Sequence, residues 1–272
     1  MDILNKIIEN KKKEVAERKE LYPIKLLESS IYFDSPTVSL KHYLQCKDRV
    51  GIIAEIKRKS PSKGNINPYV DVERTSIGYM QAGASALSIL TDNTFFGGTN
   101  NDLTTARKYN YCPILRKDFI VDEYQIIEAK SIGADAILLL ANVLTKEECK
   151  AFTNLAHQLG LEILLETHTL NELEYYLPET DVLGINNRDL KTFTVDIERS
   201  LELAAYLPKS VVKVSESGIK TVDDILLLKE NGFNGFLIGE QFMKHSKPEK
   251  ACNELISQVE HSSSLKTVSY EN

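Results

Sequence analysis

Glu55 and Lys57 stand two residues apart where an apolar run, residues 51–56, turns polar. In a strand that spacing puts both side chains on one face. Lys117 and Glu166 end other apolar runs in the same way. Two carboxylates and two ammonium groups brought to one place could donate and accept protons, and would tune one another's acidity. The plainer alternative is a set of salt bridges closing the end of a sheet. Two further run ends read Ser215-Glu216-Ser217-Gly218 and Ile238-Gly239-Glu240. Their small residues let backbone N–H groups approach an anion, although ordinary tight turns use the same residues. The sixth run ends in Asn186, Asn187 and Arg188. Metal chemistry has no foothold: the five histidines show no HExxH or paired ligand spacing, and His168, near the end of the fifth run, could line the mouth but reads as a loop residue. Neither a P-loop, a GxGxxG fingerprint nor a GxSxG elbow occurs.

The elements that must position these residues repeat. A helix-like stretch ends in Gly and a short apolar run follows, as in Gly83 before residues 86–90, Gly133 before 136–140 and Gly160 before 161–165. Gly past a helix end supplies a left-handed closing residue. Unbroken apolar runs indicate strands buried on both faces. Eight such runs begin near Gly51, Ser85, Pro113, Asp135, Leu161, Val182, Val211 and Gly235. Each interval, roughly 20 to 35 residues, has room for one helix and two loops. The count favours an α/β fold of the (β/α)8 barrel type, with a doubly wound sheet as the alternative. In such a barrel, function gathers at the C-terminal strand ends, where the charged residues fall. Residues 1–50 are surplus; Ile3, Leu4, Ile7, Ile8 and Val15 recur at helical spacing, so this segment is expected to be a helical extension over the catalytic mouth. The barrel is expected over 51–256 and a frayed, polar tail over 257–272, all within one structural domain.

With 272 residues and 42% apolar content the chain can bury a large core, which excludes a disordered or collagen-like chain. A net charge of −6 argues against a nucleic-acid partner, so any positive field must be local. The most apolar stretch, residues 136–144, is half the length needed to span a bilayer, and the N-terminus lacks a signal-peptide core. Cys46, Cys112, Cys149 and Cys252 form no CxxC pair and read as reduced thiols. A soluble, cytoplasmic protein is expected, with no membrane contact.

The thirteen residues 52–64, Ile-Ile-Ala-Glu-Ile-Lys-Arg-Lys-Ser-Pro-Ser-Lys-Gly, resemble the signature of the indole-3-glycerol phosphate synthase family, the ring-closing enzymes of tryptophan biosynthesis. Pro113 to Phe119, Gly184 to Leu190, Ser215 to Ile219 and Phe236 to Glu240 follow in family order, so the resemblance runs from about residue 3 to 256. The departures are the Ser-rich tail and Asp92-Asn93-Thr94, in a loop that is usually more charged.

The resemblance implies a barrel whose mouth is covered by an N-terminal helical segment. The implied substrate is a phosphorylated anthranilate-sugar, 1-(2-carboxyphenylamino)-1-deoxyribulose 5-phosphate. Its conversion to indole-3-glycerol phosphate, carbon dioxide and water would be that of a carbon–carbon carboxy-lyase using neither metal nor coenzyme. Carried over by position, Lys117 is the general acid at ring closure, and Glu166 and Glu55 handle protons in the dehydration. Lys57 and Ser60 hold the carboxylate, while Asn186, Arg188 and Glu216 shape the mouth. Phe119 and Leu138 pack on the aromatic ring, and Leu190 is a further substrate contact. Ser217, Gly218, Gly239 and Glu240 hold the phosphate through backbone groups. Lys57 and Arg188 would lower the Lys117 pKa and Glu166 would raise it, leaving the net direction open. A monomer or weak homodimer is expected. The isomerase one step earlier in the pathway fits less well, since it uses a Cys where the first run here has Glu55-Ile56-Lys57. A Schiff-base aldolase would also place a lysine in a barrel mouth, and a catalytically dead partner subunit would keep the fold without the chemistry.

Overall fold

The computed structural model describes residues 3–189 and 192–270. Three helices come first: α1 (Ile3–Leu21), α2 (Ile24–Glu28) and α3 (Leu40–Gln45). Strand β1 (Ile52–Ile56) leads into a short antiparallel pair, β2 (Lys59–Ser60) and β3 (Gly64–Asn65). Then come β4 (Ala86–Leu90), β5 (Ile114–Lys117), β6 (Ala136–Leu140), β7 (Glu162–Thr167), β8 (Val182–Asn186), β9 (Lys213–Glu216) and β10 (Gly235–Ile238). The eight longer strands pair in parallel, each with its sequence neighbour, and β10 pairs with β1 to close a barrel. Their positions match the eight apolar runs, and the doubly wound alternative falls.

Side chains alternate between two cores. Ile52, Ala54 and Ile56 face outward into the layer shared with the helices, together with Ile114, Ile137 and Ile163. Ile53, Ala86, Leu115, Ala136, Leu164, Val182 and Val214 fill the barrel interior. Two-residue periodicity then fixes what lies above them: Glu55 over Ile53, Lys117 over Leu115, Glu166 over Leu164 and Glu216 over Val214. The interior is apolar through its lower layers and turns charged only at its C-terminal rim.

The outer helices are α4 (Val72–Gln81), α5 (Asn93–Phe96), α6 (Asn100–Tyr109), α7 (Glu123–Ser131), α8 (Lys146–Gln158), α9 (Glu198–Ala204), α10 (Val222–Glu230), α11 (Glu240–Met243) and α12 (Pro248–Tyr270). One interval departs from expectation. Between β7 and β8 the chain makes a single 3-10 turn, Asn171–Tyr175, in place of an α-helix. This is the shortest interval, and Pro178 removes a backbone donor from its second half. At the other end, α12 runs straight through the expected boundary at 256/257, with Val259 fully buried. No helix among the described residues is long and apolar enough to cross a membrane.

Residues 1–50 do not act as one cover. Ile3, Leu4 and Ile7 of α1 face the barrel mouth. Lys11 is buried there between Asp92 (3.0 Å) and Asp118 (2.9 Å), which fastens the helix to the tops of β4 and β5. The chain then descends the flank: Arg18 Nε donates to Glu128 (2.5 Å), and the Tyr124 hydroxyl donates to the Tyr22 carbonyl (2.9 Å). It ends at the opposite face. Val38 N–H donates to Asp135 (2.8 Å), Ser39 Oγ to Glu162 (2.5 Å), and Leu40 and Leu44 plug the interior core from below. The mouth is covered by the first helix only. The remainder seals the floor, because the interior apolar column would otherwise open to water at its N-terminal end.

Candidate active site

A cavity of about 490 Å³ opens at the C-terminal rim of the barrel. Every strand contributes through its alternation. Lys117 ends β5 pointing inward, and its Nζ donates to Glu166 Oε2 (2.7 Å) and to Glu216 Oε2 (2.6 Å). Arg116, one residue earlier, points outward, where its guanidinium meets Glu128 (2.6 Å) and Asp118 (3.2 Å). Only one of this basic pair faces the cavity. Lys57 Nζ donates to Glu55 Oε1 (2.6 Å), and Asn186 Nδ2 donates to the second Glu166 oxygen (2.9 Å).

The charges are unevenly protonated. Burial disfavours the Lys117 ammonium, but Glu166, Glu216 and Glu55 outweigh it and raise its pKa well above the ordinary lysine value. The groups expected to lower it already have partners of their own. Lys57 is tied to Glu55, and Arg188 reaches the Phe193 carbonyl (3.3 Å) and the Glu240 carboxylate (3.8 Å). Burial also pushes both Glu166 and Glu216 up. For Glu166, Lys117, a nearby His168 and the Asn186 amide prevail, holding it down at about 2. Glu216 shares the same lysine but is opposed by Glu166 and Glu55, and rises to about 8. The shared lysine and mutual repulsion thus push the two carboxyls apart, Glu166 toward the ionised form and Glu216 toward the protonated one. This pairing needs room: a Cβ at Gly184 would stand 2.4 Å from Glu216 Oε1, so glycine there lets the carboxylate lie against β8.

The other walls differ in kind. Phe96 and Phe119 lie with ring centroids 5.8 Å apart and, with Leu138, Leu140 and α1, make one side apolar. The opposite side holds Ser217, Gly218, Gly239 and Glu240. Ser217 and Gly218 both have positive φ (68° and 82°), a turn that aims consecutive N–H groups to one side. The buried Asn187 props it from beneath, its Nδ2 donating to the Ser217 carbonyl (3.0 Å) and to Ser215 Oγ (2.9 Å). Ser60 lines the cavity from the β2–β3 hairpin, beside Lys63, whose Nζ is 3.4 Å from Glu240.

The structure thus brings Glu55, Lys57, Ser60, Lys117, Phe119, Leu138, Glu166, Asn186, Arg188, Glu216, Ser217, Gly218, Gly239 and Glu240 around one cavity. Leu190 lies outside the described residues. Ile3, Leu4 and Ile7 line the mouth as their helical spacing led one to expect, while sequence reasoning missed Phe96, Lys63, Phe193 and Val195. Lys63 lies within the thirteen-residue signature and could have been found there. His168, whose place near a strand end allows it to line the mouth although it reads as a loop residue, is buried against Glu166 at 3.3 Å. Among the described residues, no group of three or more His, Cys, Asp or Glu side chains is arranged to hold a metal.

Comparisons with known proteins agree with this geometry. The family model described as indole-3-glycerol phosphate synthase matches residues 4–255. A curated protein of that name from Bacteroides thetaiotaomicron is 48% identical over 259 residues, covering 95% of this chain and 99% of its own. Its namesake from Thermoanaerobacter pseudethanolicus is 45% identical over 243 residues (89% and 92%), and that from Acinetobacter baylyi 40% over 255 (93% and 95%). Among solved structures, a thiamine phosphate pyrophosphorylase from Pyrococcus furiosus superposes with a TM-score of 0.59 at 16% identity, covering 82% of this chain and 98% of its own. A chain of the Pyrococcus furiosus tryptophan synthase complex gives 0.56 at 14% (78% and 97%). At such identities these two show the barrel fold alone.

Proposed function

The chain belongs to the indole-3-glycerol phosphate synthase family, and we propose that its cavity converts 1-(2-carboxyphenylamino)-1-deoxyribulose 5-phosphate to indole-3-glycerol phosphate by acid–base chemistry alone. The observation that carries this reading is Lys117 Nζ, held between Glu166 and Glu216 with an apolar wall on one side and the Ser217–Gly218 turn on the other. The substrate's aromatic ring fits against Phe119 and Leu138, and its carboxylate beside Lys57 and Ser60. Its phosphate fits at Ser217, Gly218, Gly239 and Glu240, with Lys63 and Arg188 near enough to offset the charge. Such opposed subsites orient the two reacting ends before any bond forms.

Ring closure joins the aromatic carbon to the ketone carbon, and Lys117 supplies the proton that the carbonyl oxygen acquires. Loss of carbon dioxide returns the electron pair to the ring and restores its aromaticity. Dehydration then removes a hydroxyl as water and one proton from the closed ring. The ionised Glu166, steadied by Asn186, takes that proton, while Glu55 with Lys57 assists the leaving water. Arg188 and Glu216 shape the mouth. A lysine held so firmly as an ammonium is a poor imine-forming amine, so borohydride with substrate should leave the protein unmodified. This is carboxy-lyase chemistry in which each proton has a side-chain donor or acceptor, needing neither metal nor coenzyme. Every residue given a role lies on this one chain, a monomer or weak homodimer of the cytoplasm. The deciding experiment follows indole fluorescence and carbon dioxide release from synthetic substrate: equimolar formation of both supports the reading, and absence of either sinks it.

A further inference from the structure

His168 follows β7 directly, is 7% exposed, and stands beside Glu166. Its Nε2 lies 3.3 Å from Glu166 Oε1, in an orientation that makes no hydrogen bond. On the other edge of the ring, Nδ1 is 3.3 Å from Glu172 Oε2, the same oxygen that accepts the His168 backbone N–H at 2.6 Å. Glu172 belongs to the 3-10 turn that replaces a helix after β7. We propose that His168, oriented by Glu172, is a positioning residue for the proton step at Glu166: a second cation that holds this carboxylate ionised once Lys117 has given up its own charge.

The need for a second cation follows from the order of events. At rest Glu166 faces Lys117 through Oε2, and His168 and Asn186 through Oε1. When Lys117 protonates the carbonyl oxygen it becomes a neutral amine, and Glu166 loses its principal counter-charge. A buried carboxylate without one is driven to take up a proton. It would then be spent before dehydration called on it. The groups facing His168 are Glu166 from β7, Glu172 from the 3-10 turn, Glu216 from β9 and, across Glu166, Lys117 from β5. Burial favours the neutral ring, yet Glu172 and Glu166 outweigh it and raise the imidazole pKa. The shift favours the imidazolium, which is lost as pH rises through that raised value.

The inference rests on Glu166 acting in dehydration, and it predicts which half of the reaction suffers. Carbon dioxide release and indole fluorescence are followed in the same single turnover for wild type, His168→Gln, Glu172→Gln and Glu166→Gln. His168→Gln retains a partner for Glu172 but carries no charge. Its carbon dioxide release should stay within about threefold of wild type while indole formation slows at least ~10-fold, within the range of a perturbed acid–base step. Glu172→Gln leaves the ring in place and should move the alkaline fall of the indole rate to lower pH, which an effect on folding alone would not do. Equal slowing of both signals in His168→Gln, or an unmoved alkaline limb in Glu172→Gln, overturns the proposal. Glu166→Gln separates the two layers of argument. Near-wild-type indole formation there would remove the premise itself. A slow Glu166→Gln beside a fast His168→Gln would remove only the positioning role.

Discussion

Replacing Lys11 with Met removes a buried ammonium from between Asp92 and Asp118 while keeping most of the side chain's volume. Stripping one partner from a buried ion pair commonly costs about 3–5 kcal/mol. Here the stranded carboxylates keep other support, which favours the lower end. Asp92 still accepts the N–H of Phe95 (2.8 Å), and Asp118 still faces Arg116 and accepts from Thr91 Oγ1 (2.6 Å). The strain can also be relieved locally, since water reaches both carboxylates if α1 lifts from the mouth. At about 2–4 °C per kcal/mol for a chain of this size, a fully global loss of 3 kcal/mol would lower Tm by roughly 6–12 °C. We expect a smaller fall, with the rest of the effect appearing in binding, because Ile3, Leu4 and Ile7 leave the cavity wall with the helix. Loss of contact equal to two buried CH2 groups, about 0.8 kcal/mol each, corresponds to a KM increase of roughly 10-fold. Melting curves and steady-state kinetics at pH 7 check both numbers. The pH course has a definite sign. Burial raises the Asp118 carboxyl, but Lys11 and Arg116 outweigh it and hold it below the usual range. Its contribution is therefore present above the unfolded pKa and disappears as pH falls through the folded one, so mutant and wild type should converge on acidification. A Tm loss above 6 °C with KM unchanged would refute the reasoning, since α1 would then be structural without lining the bound substrate.

Lys117→Met keeps the stem but not the proton, and kcat should fall at least ~100-fold with the fold intact; a mutant retaining a tenth of wild-type kcat would transfer the acid's role to Lys57. Arg116→Met should do the reverse, lowering Tm while leaving kcat within about threefold, because its guanidinium serves Glu128 and Asp118 outside the barrel. Gly218→Val forces a β-branched residue to φ 82° and a Cβ to 2.3 Å from Val195 Cγ1, so KM should rise far more than kcat falls; an unchanged KM would place the phosphate elsewhere. Burial, with Glu166 and Glu55, lifts Glu216 to about 8 against Lys117, so its folded-state preference for a proton favours stability below the unfolded value of 4.5 and is lost as pH rises through 8. Glu216→Gln should therefore flatten the decline of Tm between about pH 5 and 8, and an identical decline in both proteins counts against a protonated Glu216.

Strand positions and the inward set were legible because both follow from local rules. Unbroken apolar runs marked the strands, and two-residue alternation by itself sends Lys117 and Arg116 to opposite faces. What escaped depends on groups far apart in sequence. Gly184 looks like any strand glycine until Glu216 on the neighbouring strand claims the space of its missing Cβ. His168 read as a loop residue since burial after a strand end is decided by the turn that folds over it. The expectation for residues 1–50 failed in its second half for a similar reason. Amphipathic spacing reports that a helix has an apolar face, but not which end of a barrel it meets. The direction of the Lys117 shift stayed open until the structure showed which of its charged neighbours were already paired.

The strap that runs from mouth to floor has a consequence for how the chain is made. Its anchors lie far downstream: Val38 waits for Asp135, 97 residues later, and Ser39 for Glu162, 123 residues later. At a synthesis rate of about 5–20 residues per second, some 5–25 s pass between the emergence of this segment and that of its docking sites. Throughout that interval Leu40 and Leu44, which finish buried beneath the barrel, face water on the nascent chain. The first fifty residues are thus born first and buried late, a natural client window for a ribosome-associated chaperone.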